Sequence, residues 1–127
     1  MTASADGLEV AERLFAAIEA GDVEAVRHLY SPDIEVWNTA TRVAQTAEEN
    51  LRVLSWLVTN LSDVRYTEIR RQATAGGFVQ EHVLTATRRD GVAIAMPACI
   101  VATVEDGKIT RLAEYLDSGD VARVIAP

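Results

Sequence analysis

Near residue 63 the spacing of apolar residues changes from a helical period to a period of two, and that switch decides most of what this chain can fold into. Before it, apolar side chains recur at helical spacing in three runs: Leu8, Ala11, Leu14, Phe15 and Ile18; Val23, Val26, Leu29 and Tyr30; and Leu51, Leu54, Trp56, Leu57 and Leu61. Each run has a candidate cap. Asp6 with Glu9 and Thr46 with Glu49 have capping-box spacing, and Asp22 after Gly21 can cap the second run. "SPD" at 31–33 ends the second helix, and "IEVWN" at 34–38 alternates as a short strand.

After the switch, Gly76-Gly77, Asp90-Gly91 and Asp106-Gly107 divide the chain into runs near 64–75, 78–89, 92–105 and 108–116. Such dipeptides supply the positive φ of tight hairpin turns, so four long antiparallel strands in meander order are expected. The tail "SGDVARVIAP" allows a short last helix capped by Ser118 or Asp120. Helices followed by a meander give an α+β fold, one domain over residues 1–127. Its mixed, mainly antiparallel sheet curves like a cone around three N-terminal helices and leaves an apolar pocket between the layers.

Composition narrows the partners. A net charge of −7 argues against nucleic acid or an anionic membrane surface, both of which select clustered Lys and Arg. One cysteine, Cys99, and two histidines supply neither an intramolecular disulfide nor a zinc-finger spacing, so no metal is expected. "MTASADG" lacks a basic n-region and an apolar h-region, and "VAIAMPACIVATV" at 92–104 is too short to span a bilayer. The expectation is a soluble, cytoplasmic protein.

"LFAAIEAGDVEAVRHLYSPDIEVWN" at 14–38 resembles the opening of the nuclear transport factor 2-like superfamily, and "DGKITRLAEYLD" at 106–117 is similar to an ending common in its hydrolase and SnoaL-like branches. The resemblance implies relatives among ketosteroid isomerases, limonene-epoxide hydrolases and SnoaL-like polyketide cyclases. The isomerase base and its two oxyanion donors correspond to Asn38, Leu14 and Cys99, so that mechanism is not carried over. Of the epoxide-hydrolase set, the asparagine matches Asn38, while the arginine falls at His82, the final aspartate at Glu114, the tyrosine at Val36 and the other aspartate at Leu84. The acidic residue of SnoaL-like cyclases falls near Glu114.

Strand parity puts Phe78, Gln80, His82 and Leu84 on one face, and Thr110, Leu112, Glu114 and Leu116 on one face of the last strand. If the leucines face the core, so do His82 and Glu114, and the two are expected to share a site. A desolvated carboxylate beside an imidazole can exchange a proton near neutral pH. Glu114 is then the acid/base group, His82 its partner and Asn38 an orienting amide. Phe15, Tyr30, Trp56, Phe78, Leu84, Cys99, Leu112 and Leu116 are the candidate substrate contacts, and Trp37 is expected to point away. The plainer alternatives are a purely structural His82–Glu114 pair, a turn role for Asn38 and a buried core thiol at Cys99.

The run at 92–104 is apolar at nearly every position, as in a strand covered on both sides, which points to a homodimer through the outer sheet face. Two functions fit: an acid/base enzyme of cyclase, isomerase or hydrolase type, needing no cofactor and acting on a hydrophobic cyclic small molecule, or a non-catalytic module that only holds such a ligand.

Overall fold

The structure, a computed structural model, describes residues 3–125, with side chains from residue 6 onward. The elements run α1 (Ala3–Ala20), α2 (Val23–Leu29), β1 (Tyr30–Asn38), α3 (Ala47–Asn60), β2 (Leu61–Thr74), β3 (Gly77–Arg88), β4 (Ala93–Glu105), β5 (Lys108–Leu116) and α4 (Ser118–Ile125). The sheet order is β1-β5-β4-β3-β2, with β1 parallel to β5 and every other pair antiparallel. β1 and β2 are opposite edges of the sheet, yet α3 packs against both, so the sheet curls around the helices. The expected α+β fold and its mixed, curved sheet are what the chain forms.

Local chemistry explains most boundaries. The Thr46 side chain accepts from Glu49 N–H while Glu49 returns a bond to Thr46 N–H, a complete capping box that starts α3. Asp22 caps α2 by accepting from Ala25 N–H at 3.0 Å. Two caps differ from expectation. α1 begins at Ala3, which leaves Asp6 inside its first turn, where a carboxylate still favours the positive end of the helix dipole. The α4 cap is Asp117, whose Oδ1 accepts from Gly119 N–H and Asp120 N–H at 2.6 and 3.2 Å.

β1 is longer than "IEVWN" because it starts at Tyr30 and runs through Pro32. Proline is tolerated there since β1 is an edge strand whose register with β5 shifts between Tyr30 and Glu35. The Gly76-Gly77 turn also has a different cause from the one expected, because neither residue has positive φ, unlike Gly91 and Gly107. What Gly77 supplies is closeness. A Cβ there would lie 2.0 Å from the carbonyl oxygen of Ala102, and one on Gly7 would lie 2.2 Å from the carbonyl oxygen of Gly77, so α1 rests on the backbone of this turn.

The concave face buries one core under α1, α2 and α3, built from Leu14, Phe15, Val26, Leu51, Phe78 and Ile109 among others, and a smaller one beside α4 containing Leu84, Met96 and Val124. Tyr66 packs against both. On β4 only alternate residues are covered: Ile94, Met96, Ile100 and Ala102 are buried, whereas Ala95, Pro97 and Val101 are exposed on the convex side. Among the described residues no helix is long and apolar enough to cross a membrane.

Candidate functional site

Between the helices and the concave face lies a cavity of about 250 Å³ that opens past Thr41, Val53, Trp56 and Ile125. Phe15, Tyr30, Trp56, Leu84, Leu112 and Leu116 line it, together with Asn38 and Glu114. Asn38 and Glu114 sit side by side because they are register partners across the parallel β1–β5 pair. Thr39 fastens that end: its N–H donates to Glu114 O at 3.1 Å, its hydroxyl to Leu116 O at 2.7 Å, and its Oγ1 accepts from Leu116 N–H at 2.9 Å.

Among the described residues, Glu114 is the single carboxylate on an otherwise mostly apolar wall. Among the described residues its carboxyl makes no hydrogen bond or ion pair, and burial pushes its pKa from the ordinary 4.5 up to about 7. A group poised there holds and releases a proton at neutral pH with equal ease.

Asn38 divides its amide between two tasks. Its Oδ1 accepts from Ala40 N–H, Thr41 N–H and the Thr41 hydroxyl at 3.0, 2.9 and 3.3 Å, which is the turn role that asparagine commonly takes. Nδ2 bonds no described residue.

The structure does not join His82 to Glu114. Register runs Arg71–Gln80–Ile100–Glu114–Asn38 across the five strands, so β4 and Ile100 stand between the two groups. Two strand spacings separate their backbones by roughly 10 Å. His82 belongs to another cluster. Arg71 Nε donates to Gln80 Oε1 at 2.6 Å, which turns Gln80 Nε2 toward His82 Nδ1 at 2.9 Å as a donor. Nδ1 therefore accepts, and the neutral ring carries its proton on Nε2, which is buried without a partner among the described residues. Burial, then the Arg71 charge, pulls the His82 pKa from 6.5 down to about 4, so the ring is neutral where Glu114 titrates. Its ring packs edge-on against Tyr66 and Phe15, with centroids at 4.7 and 5.6 Å.

Two other expected contacts also lie elsewhere. Phe78 is fully buried beneath Phe15, centroids 6.1 Å apart, and does not reach the cavity. Cys99 has the opposite parity to Ile100 and faces the convex side, in a shallow depression shared with Glu81 and Tyr115. Trp37 lies mainly outward, stacked edge-on with Tyr115 at 5.5 Å, with its margin at the cavity mouth.

Tyr66 is the group that strand parity misses. The β2 register shifts between Ser62 and Arg65 and again between Thr67 and Arg70, with Asp63 and Glu68 at positive φ, so simple alternation fails there. Glu19 on α1 holds the bulged segment by accepting from Tyr66 N–H at 2.8 Å. The Tyr66 hydroxyl bonds no described residue, and burial followed by the nearby Glu114 charge raises its pKa well above 10.0. Tyr30 is fixed instead: its hydroxyl donates to Asn50 Oδ1 at 2.7 Å, and Asn50 Nδ2 donates to Gln45 Oε1 at 3.2 Å. The Glu114 carboxyl, the Asn38 amide and the Tyr66 phenol all line one small, mostly apolar cavity.

The model of the SnoaL-like domain family matches residues 11–112. Among solved structures, a provisionally named polyketide cyclase of Xanthomonas campestris superposes with a TM-score of 0.84 at 15% identity, covering 97% of this chain and 99% of that one. A nuclear transport factor 2-like protein of Burkholderia xenovorans gives 0.77 at 18% identity, with 98% of both chains covered. An epoxide hydrolase of M. tuberculosis, likened to the limonene-epoxide enzymes, gives 0.76 at 18% identity, covering 96% and 90%. No curated protein matches the sequence.

Proposed function

We propose that this chain, which belongs to the SnoaL-like domain family, is an acid/base enzyme in which Glu114 moves a proton on a hydrophobic cyclic small molecule. The observation that carries the proposal is the unpaired Glu114 carboxyl, poised near neutrality inside an apolar cavity. In the base direction its carboxylate removes a proton from carbon beside a carbonyl. The C–H electron pair forms the C=C bond of the enolate as the carbonyl π pair moves to the oxygen, and the same carboxyl later returns the proton to carbon. In this scheme Asn38 Nδ2 and the Tyr66 hydroxyl donate to that oxygen. Arg71, Gln80 and His82 take no proton in this scheme; they set the position of Tyr66 and Phe15.

The test is deuterium uptake at the carbon next to the carbonyl of a neutral cyclic ketone such as decalone, followed by NMR. The parent protein should catalyse uptake with a pH profile that turns near 7. Glu114→Gln should lower the rate by about 10²–10⁴-fold. Equal rates in parent and variant would remove Glu114 from the chemistry. Ligand binding without any exchange would favour the other reading, a module that holds its ligand unchanged. We further propose that the protein works as a homodimer through the convex face of the sheet, where Val101, Tyr115 and Ile69 are exposed apolar side chains.

A further inference from the structure

The Glu114 cavity, about 250 Å³, falls just below the roughly 300–1,000 Å³ of cavities that enclose drug-sized ligands. Ile18, Leu54, Leu57, Tyr66 and Leu84 form one of its walls, and the same five side chains also line a second, apolar cavity of about 30 Å³ beneath α1, α2 and α3. Beyond that lie Gly21, Val26 and Leu61. The wall is one side chain thick, so it limits the length of a ligand.

The charge of the lining is equally one-sided. Among the described residues it contains Glu114 and no Lys, Arg or His. The guanidinium of Arg71 lies over the Phe15 ring and bonds Gln80, outside the cavity. An anionic ligand would therefore be desolvated beside a carboxyl with no counter-charge, a cost that such a site cannot offset.

Resting on the reading of this cavity as a substrate site, we infer that its substrate is an uncharged molecule of one or two rings, and that Leu57 and Leu84 set the upper size. This separates the site from one built for four fused rings or for a phosphorylated or carboxylated compound. Of the two residues, Leu57 is the better handle: it is only half-buried on α3, whereas Leu84 is a core residue.

Binding is measured by equilibrium dialysis with three probes: decalone, a steroid ketone of four rings, and decalin carboxylate. For the parent protein, decalone should bind about tenfold or more tighter than either other probe, a margin of about 1.4 kcal/mol. Leu57→Ala should bring the steroid ketone to within about threefold of decalone. Leu57→Phe fills the same junction and should weaken decalone by about tenfold, which keeps the wall testable if the alanine variant folds poorly. A steroid ketone that binds the parent as tightly as decalone overturns the size limit, and an equally tight carboxylate overturns the charge rule, while both leave the substrate site standing. Steroid exclusion that persists in a folded Leu57→Ala, or decalone binding untouched by Leu57→Phe, overturns the wall. If no probe binds the parent, the site reading falls and this inference with it.

Discussion

Between pH 4.5 and about 7 the folded chain keeps a proton on Glu114 that the unfolded chain releases, so this group stabilises the fold fully below pH 4.5 and loses that contribution as pH rises to 7. His82 has the reverse sign. Its depressed folded value means that the unfolded chain holds the extra proton between about 4 and 6.5, so its contribution is present above 6.5 and lost as pH falls to 4. The two slopes oppose each other, and the parent protein should show little change in urea midpoint between pH 4.5 and 6.5 from this pair. Glu114→Gln should expose the His82 slope, with stability rising over that window and a gain over the parent above pH 7 of at most about 3 kcal/mol. A parent midpoint that falls steeply over the window would refute the cancellation. Parity places both residues on the concave face, and that much is legible from spacing alone. Their separation is legible too, since the meander order implied by the Asp90-Gly91 and Asp106-Gly107 turns already puts β4 between β3 and β5; parity by itself says that the two residues share a face, not that they touch.

Elements were easiest to read where a local rule acts by itself. The Thr46–Glu49 box and the Asp106-Gly107 turn, with φ of 51° and 76°, need nothing beyond their own residues. The cap of α4 and the start of β1 depend on what the neighbouring backbone does, and there the sequence pattern misplaces a boundary. Tyr66 escapes for a related reason, since two bulges reset the parity of β2. The glycine pair at 76–77 offers a sharp check on the close-approach account. Gly77→Ala forces its methyl against Ala102 O and should cost about 3 kcal/mol or more, whereas Gly76→Ala, with nothing within 4 Å, should change stability by less than about 0.5 kcal/mol. Urea unfolding of the two variants decides it, and equal midpoints would discard the account.

For the whole molecule, the convex sheet face is the largest question of assembly. Its exposed Val101, Tyr115 and Ile69 match the homodimer proposed above, with Cys99 and Trp37 close by. Val101→Glu should turn a dimer into a monomer by light scattering at micromolar concentration while leaving the circular dichroism unchanged; a parent protein that is monomeric there would end the proposal. The parallel pairing of β1 with β5 has a consequence in time as well as in space. Asn38 is made early on the ribosome and Glu114 late, with three strands synthesised in between, so the edge strand must wait unpaired until almost the whole sheet has emerged. The two halves of the proposed site can meet only once β5 has emerged, and a chain that stalls before then has four of its five strands and a cavity without its carboxyl.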